Sequence, residues 1–114
     1  MLIYKILTAT QWAALEQGGA TAGAPVDLAD GFVHFSTGGQ VAETAAKHFA
    51  GQTGLMLLAV EAGRLGPALR WEPSRGGNLF PHLHAALRRA DVAWARPLPL
   101  DPDGAHVFPE GVGT

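Results

Sequence analysis

"LMLLAVEA", residues 55–62, is a nearly continuous apolar run closed by Gly54 on one side and Gly63 on the other. A strand with one wet face would alternate apolar and polar side chains, and this run does not, so both of its faces must be covered. It falls far short of the roughly 20 residues needed to cross a bilayer as a helix. The reading that fits is a buried strand in the middle of a sheet.

Working outward towards the N-terminus, Val41, Ala45, His48 and Phe49 recur at helical spacing, and Glu43 and Lys47 form an i,i+4 ion pair. A helix is therefore predicted over 38–50, capped by Thr37 and stopped by Gly51. Leu2 to Leu7 is short and β-prone. Thr8 or Thr10 can cap a second helix, predicted over 9–17, which puts Trp12 and Leu15 on one face before Gly18 and Gly19 end it. Between these elements "ATAGAPVDLAD", residues 20–30, is small and turn-rich and reads as a surface loop. Towards the C-terminus, "ALRWEPS" (68–74), "RGGNLFPHLHAAL" (75–87) and "DVAWARPLPL" (91–100) carry period-two patterns broken by glycine and proline. Helices cluster early and strands dominate later, which makes the fold class α+β. The expected architecture is a single small domain over residues 1–101, with a bent mixed or antiparallel sheet and two main helices. Residues 102–114 form a tail with turn chemistry and no period, expected to be loosely ordered.

Composition narrows the function classes. At 114 residues, 47% hydrophobic and 16% charged, the chain is long enough and apolar enough for one core without staples. It contains no cysteine, which excludes a disulfide scaffold and thiolate chemistry and suits a cytoplasmic location. Eight Lys and Arg residues, a formal net charge of −2 and a pI near 6.2 leave no basic footprint, so nucleic acid is disfavoured as a partner. The stretch "MLIYKILTATQW" has Lys5 inside an apolar run and then a helix start, and is not expected to be a signal peptide. No membrane association is expected, and a monomer is.

Few ionisable residues fall inside the predicted strands, and those few suggest a site. "DGFVHFST", residues 30–37, puts Phe32, His34 and Ser36 on one face of a strand and Val33, Phe35 and Thr37 on the other. Arg70 and Glu72 share a face of the next polar strand, His82 and His84 follow at period two, and Arg75 sits in a glycine-rich loop. Arginine or histidine can hold a phosphate or a ribose hydroxyl, Ser36 adds a donor and an acceptor, and Glu72 is the available base. The loop is neither a Walker loop nor a dinucleotide fingerprint, because the glycine spacing and the strand-to-helix context are absent. His34 alone equally fits a hydrogen-bonded core histidine, and Arg70 with Glu72 equally fits a structural pair. The "HLH" spacing at 82–84, with His34 as a third ligand, gives only a weak metal motif, and no metal is expected.

Taken together, "DGFVHFST", the helix ending "AAKHFAG", "LMLLAVEAGRLGPALRWEPSRGGNLFPHLH" and the final "VAWARPL" resemble the bacterial family called domain of unknown function 952, over about residues 2–99. The resemblance implies a small α+β domain similar to the ADP-ribosylation fold, the cleft architecture of ADP-ribosyltransferases and RNA 2′-phosphotransferases. It further implies NAD or a related nucleotide as ligand, with His34 in the position that grips the adenosine-side ribose. The late-strand glutamate of that fold has no counterpart, since Glu110 lies in the tail and Glu72 lies earlier, before a proline. Three functions follow as expectations. The first is a transferase-like enzyme with His34 and Glu72 as catalytic residues and His34, Ser36, Arg70, Arg75 and His82 binding the nucleotide. The second is a non-catalytic module holding a small anion or nucleotide in the same cleft. The third is a histidine-ligated metal protein.

Overall fold

A computed structural model describes residues 1–112, with the side chain of Arg75 outside the described set. The central run is strand β5, Leu55–Glu61. It lies between β1, Leu2–Thr8, and β9, Val92–Leu98, and both pairings are antiparallel. Leu55, Leu57 and Ala59 enter one hydrophobic cluster and Leu58 and Val60 the other, so the unbroken apolar sequence is explained by cores on both faces. A register shift opposite Ala59 and Val60 bends β9 at that point.

Helix α1, Ala9–Gly18, starts with a reciprocal capping box in which the Thr8 hydroxyl accepts from the Gln11 amide and the Gln11 side chain accepts from the Thr8 amide. The other predicted helix is shorter than 38–50. This helix, which is α3 in chain order, covers Val41–His48 and is preceded by Gln40, and the Thr37 side chain does not cap it. Instead the Gln40 side chain accepts from the Thr37 amide and the Gln40 amide donates to the Thr37 carbonyl. The stretch read as a loop contains a third helix, α2, Pro25–Asp30. Proline suits the first helical position, where the missing N–H costs nothing. Asp27 accepts from the amide of Ala24 at 2.7 Å, and Gly31 closes the helix at φ +85°. The loop reading also missed β2, Ala20–Thr21, which pairs with β8, Leu87–Arg88.

All strand pairings are antiparallel, and they form separate sheets. The main sheet has the order β4-β1-β5-β9, where β4 is Ser36–Thr37. A three-stranded sheet has the order β3-β7-β6, formed by Val33–His34, Leu79–Leu83 and Leu69–Pro73. "FVHFST" passes from one to the other: β3 pairs with β7, the Phe35 amide donates to the Pro81 carbonyl at 3.0 Å, and Ser36 then pairs with Tyr4. Val33 and Phe35 are buried in the core as their alternation predicts. Past Asp101 the chain turns back on the domain. Leu100 bridges His106, the Val107 amide donates to Pro99, and Phe108 and Val112 pack against the core on the β5 face that carries Leu57. No helix among the described residues is long and apolar enough to cross a membrane.

Candidate functional site

A lysine inside a buried strand needs an opposite charge, because burial removes the water that stabilises its ammonium group. Lys5 lies opposite Leu58 on the core side of β1, only 6% exposed, and its Nζ reaches Asp27 Oδ2 at 2.9 Å and the His34 carbonyl at 3.0 Å. Asp27, on α2, is fully buried and accepts from four donors. They are the Ala24 amide and Lys5 Nζ on Oδ2, and the His34 amide (3.0 Å) and His34 Nδ1 (2.6 Å) on Oδ1. Burial pushes the Asp27 carboxyl up, but the hydrogen bond from His34 and the charge of Lys5 outweigh it and hold the group at about 2. Burial likewise pulls the Lys5 ammonium down, with Asp27 restoring part of the loss. The ring of His34 is thereby fixed through Nδ1. Its Nε2 faces the carboxylate of Asp30 at 2.9 Å.

A second histidine system lies beside this one on the three-stranded sheet. The register aligns His34, His82 and Arg70 in one row across β3, β7 and β6. Glu72 Oε1 accepts from His82 Nδ1 at 2.9 Å and from His84 Nε2 at 2.7 Å. Those two bonds hold the Glu72 carboxyl below its usual range. Burial lowers His82 from the ordinary imidazole value, against a raising effect of Glu72 and with its histidine neighbours adding to the fall. Phe32 stacks on His82 with ring centroids 4.2 Å apart, and its ring also lies within 5.0 Å of those of His34 and His84.

A cleft of about 750 Å³ opens between α2, β1, α3 and this sheet. His34, Ser36 and His82 line it together with Asp30, and Tyr4, Phe49 and Phe80 supply aromatic wall. The Ser36 and Thr44 hydroxyls lie 2.9 Å apart in the same wall. Arg70 and Glu72 are not among the described residues of the lining. Arg70 is exposed on the edge strand, and Glu72 reaches the cleft wall through its bond to His82. The Arg75 side chain lies outside the described residues. His84 and Phe32 face a separate hollow of about 240 Å³. No group of three or more His, Asp or Glu side chains among the described residues is placed to hold a metal ion.

Sequence reasoning thus singled out His34, Ser36 and His82 and missed Asp27, Asp30 and Lys5. The signals were present. A lysine in an apolar strand demands a carboxylate, and Ala-Pro-X-Asp followed by Asp-Gly marks both ends of a short helix. Chemically, the arrangement offers an imidazole oriented by a buried carboxylate and opening towards a cleft, able to hold an anion or to move a proton at Nε2.

No curated protein matches the chain. Among solved structures, the crystal structure of protein CC0527 from Caulobacter crescentus is 52% identical, covers 94% of each chain and superposes with a TM-score of 0.90. The solution NMR structure of CC0527 is 54% identical, with a TM-score of 0.83 over 91% of this chain and 90% of that one. The family described as "Protein of unknown function (DUF952)" matches residues 6–95, and the chain belongs to that family.

Proposed function

We propose that the domain binds a nucleotide-class small molecule, NAD or a related nucleotide, in the cleft beside His34. One observation carries the reading: His34, locked through Nδ1 to the buried Asp27, opens into a cleft of about 750 Å³. That volume lies within the range typical of small-molecule sites. Aromatic wall at Tyr4, Phe49 and Phe80 suits a heterocycle, and the Ser36 and Thr44 hydroxyls suit ribosyl hydroxyls. The similarity to the ADP-ribosylation fold that the family resemblance implies would point the same way.

Binding fits this geometry better than group transfer. A ribosyl transfer passes through a cationic transition state that a nearby carboxylate stabilises. The last strand, Val92–Leu98, contains no acidic residue, and the Asp30 carboxylate in the cleft wall is paired with His34 Nε2. The Glu72 carboxylate is occupied by two histidines and held low, which makes it a poor base. The observation favouring catalysis is the Asp27–His34 pair itself, whose form is that of an oriented general base.

Thermal-shift and NMR titrations with NAD, ADP-ribose and AMP test the reading. A ligand at a hundredfold its dissociation constant stabilises by about 2.7 kcal/mol. The expected result is a saturable response lost in His34→Gln, with NAD intact after long incubation. No response to any of the three nucleotides ends the proposal, and His34-dependent release of nicotinamide replaces binding with catalysis.

A further inference from the structure

We infer that the Asp30 carboxylate is an internal stand-in for an anionic group of the ligand, and that a phosphoryl oxygen displaces it from His34 Nε2 on binding. This deepens the nucleotide reading and rests on the cleft assigned there.

The two carboxylates on His34 are held differently. Asp27 has four donors and no exposure. Asp30 ends the short helix α2, its side chain is 48% exposed, and His34 is its one polar partner among the described residues. Rotating the Asp30 side chain off the ring breaks one contact and moves no backbone, whereas Asp27 cannot leave without stranding Lys5. The ring therefore stays oriented while its outer nitrogen changes partner. What can take that place is set by chemistry. Nε2 lies 2.9 Å from the Asp30 carboxylate, and when the ring carries both protons a neutral hydroxyl would replace that charged partner with one bonded about half as strongly. A phosphoryl oxygen brings the same charge and acceptor geometry, and it arrives in a cleft whose wall adds the hydroxyls of Ser36 and Thr44 and the His82 ring. Asp30 also repels an approaching anion, so it competes with the ligand twice.

Removing the charge by Asp30→Asn must then tighten anion binding. Exposed pairs of this kind are worth little, so the expected gain is about two- to fivefold in affinity. The experiment follows the imidazole resonances of His34 near pH 6 while inorganic phosphate is added, in the wild type, Asp30→Asn and His34→Gln, with AMP and adenosine titrated in parallel. Support is a saturable shift of the His34 ring whose midpoint falls two- to fivefold in Asp30→Asn, with His34→Gln abolishing phosphate-induced shifts at Ser36. AMP then binds more tightly than adenosine, and Asp30→Asn improves AMP alone. A flat His34 titration in both proteins, or an equal or weaker midpoint in Asp30→Asn, overturns the inference. Phosphate binding as described without a response to AMP, ADP-ribose or NAD leaves this inference standing and removes the nucleotide reading. Nucleotide binding that leaves His34 unmoved and ignores Asp30→Asn does the reverse.

Discussion

Asp27 and Glu72 each hold histidines against the same patch of sheet, under opposite conditions. Asp27 is sealed in the core, satisfied by four donors, and charged because Lys5 and His34 sit on it. Glu72 is about a third exposed on an edge strand, where water competes for each of its bonds. A buried charge is costly to strand but contributes little more than a well-packed apolar group when its whole network is intact. An exposed one contributes little in either case. The difference assigns Asp27 to holding the fold and orienting His34, and Glu72 to trimming the positions of His82 and His84.

Breaking the buried system gives the largest effect. Asp27→Ala leaves the Lys5 ammonium without its counter-charge and strips acceptors from three further donors, so a loss of about 3–5 kcal/mol is expected in urea unfolding. Lys5→Met keeps the apolar bulk and leaves Asp27 with His34 and two amide donors, and the expected loss is smaller, about 1–2 kcal/mol. A Lys5→Met protein as unstable as Asp27→Ala would mean that the lysine, not the aspartate, organises the cluster.

Acid sharpens the same contrast. His82 has a folded value below its ordinary 6.5, so its contribution to stability is complete above 6.5 and is lost as pH falls through the lowered value. Asp27 has a folded value of about 2 against an ordinary 3.8, so its contribution, about 2 kcal/mol, is complete above 3.8 and is lost as pH falls towards 2. Stability measured against pH is expected to fall in two separate stretches, the first removed by His82→Phe and the second unaffected by it. A single fall below pH 4 in the unmodified protein contradicts this.

The smallest effect belongs to Glu72→Gln. The unfolding midpoint is expected to move far less than in Asp27→Ala. The ring signals of His82 and His84 shift, those of His34 do not, and His82 titrates at still lower pH because the group that raised it has gone.

The parts of this molecule that could be read from sequence are those where one residue pattern has one physical meaning. The run 55–60 could only be covered on both faces, and a threonine at 8 or 10 ahead of a helical pattern marked a helix start, though only the structure shows that Thr8 is the cap. Val33 and Phe35 fell on the core face as alternation requires. What stayed hidden depended on pairing between distant residues. Asp27 looks like any acidic residue in a turn-rich stretch until Lys5 is seen to need it. Glu72 looked like a base because its histidine partners, ten and twelve residues on, become neighbours only through the β6–β7 register. Of Phe32, His34 and Ser36, read as one face, His34 and Ser36 line the cleft and Phe32 faces the separate hollow, and alternation could not reveal that the strand changes sheets halfway along.

That change of sheet has a consequence for how the domain opens. Residues 33–37 are hydrogen-bonded at one end to β7 and at the other to β1, so the segment belongs to two layers at once. Loosening either sheet by itself leaves the segment anchored by the other. The splice therefore links the two sheets covalently, and it places the histidine that faces the cleft in a stretch of backbone anchored to both.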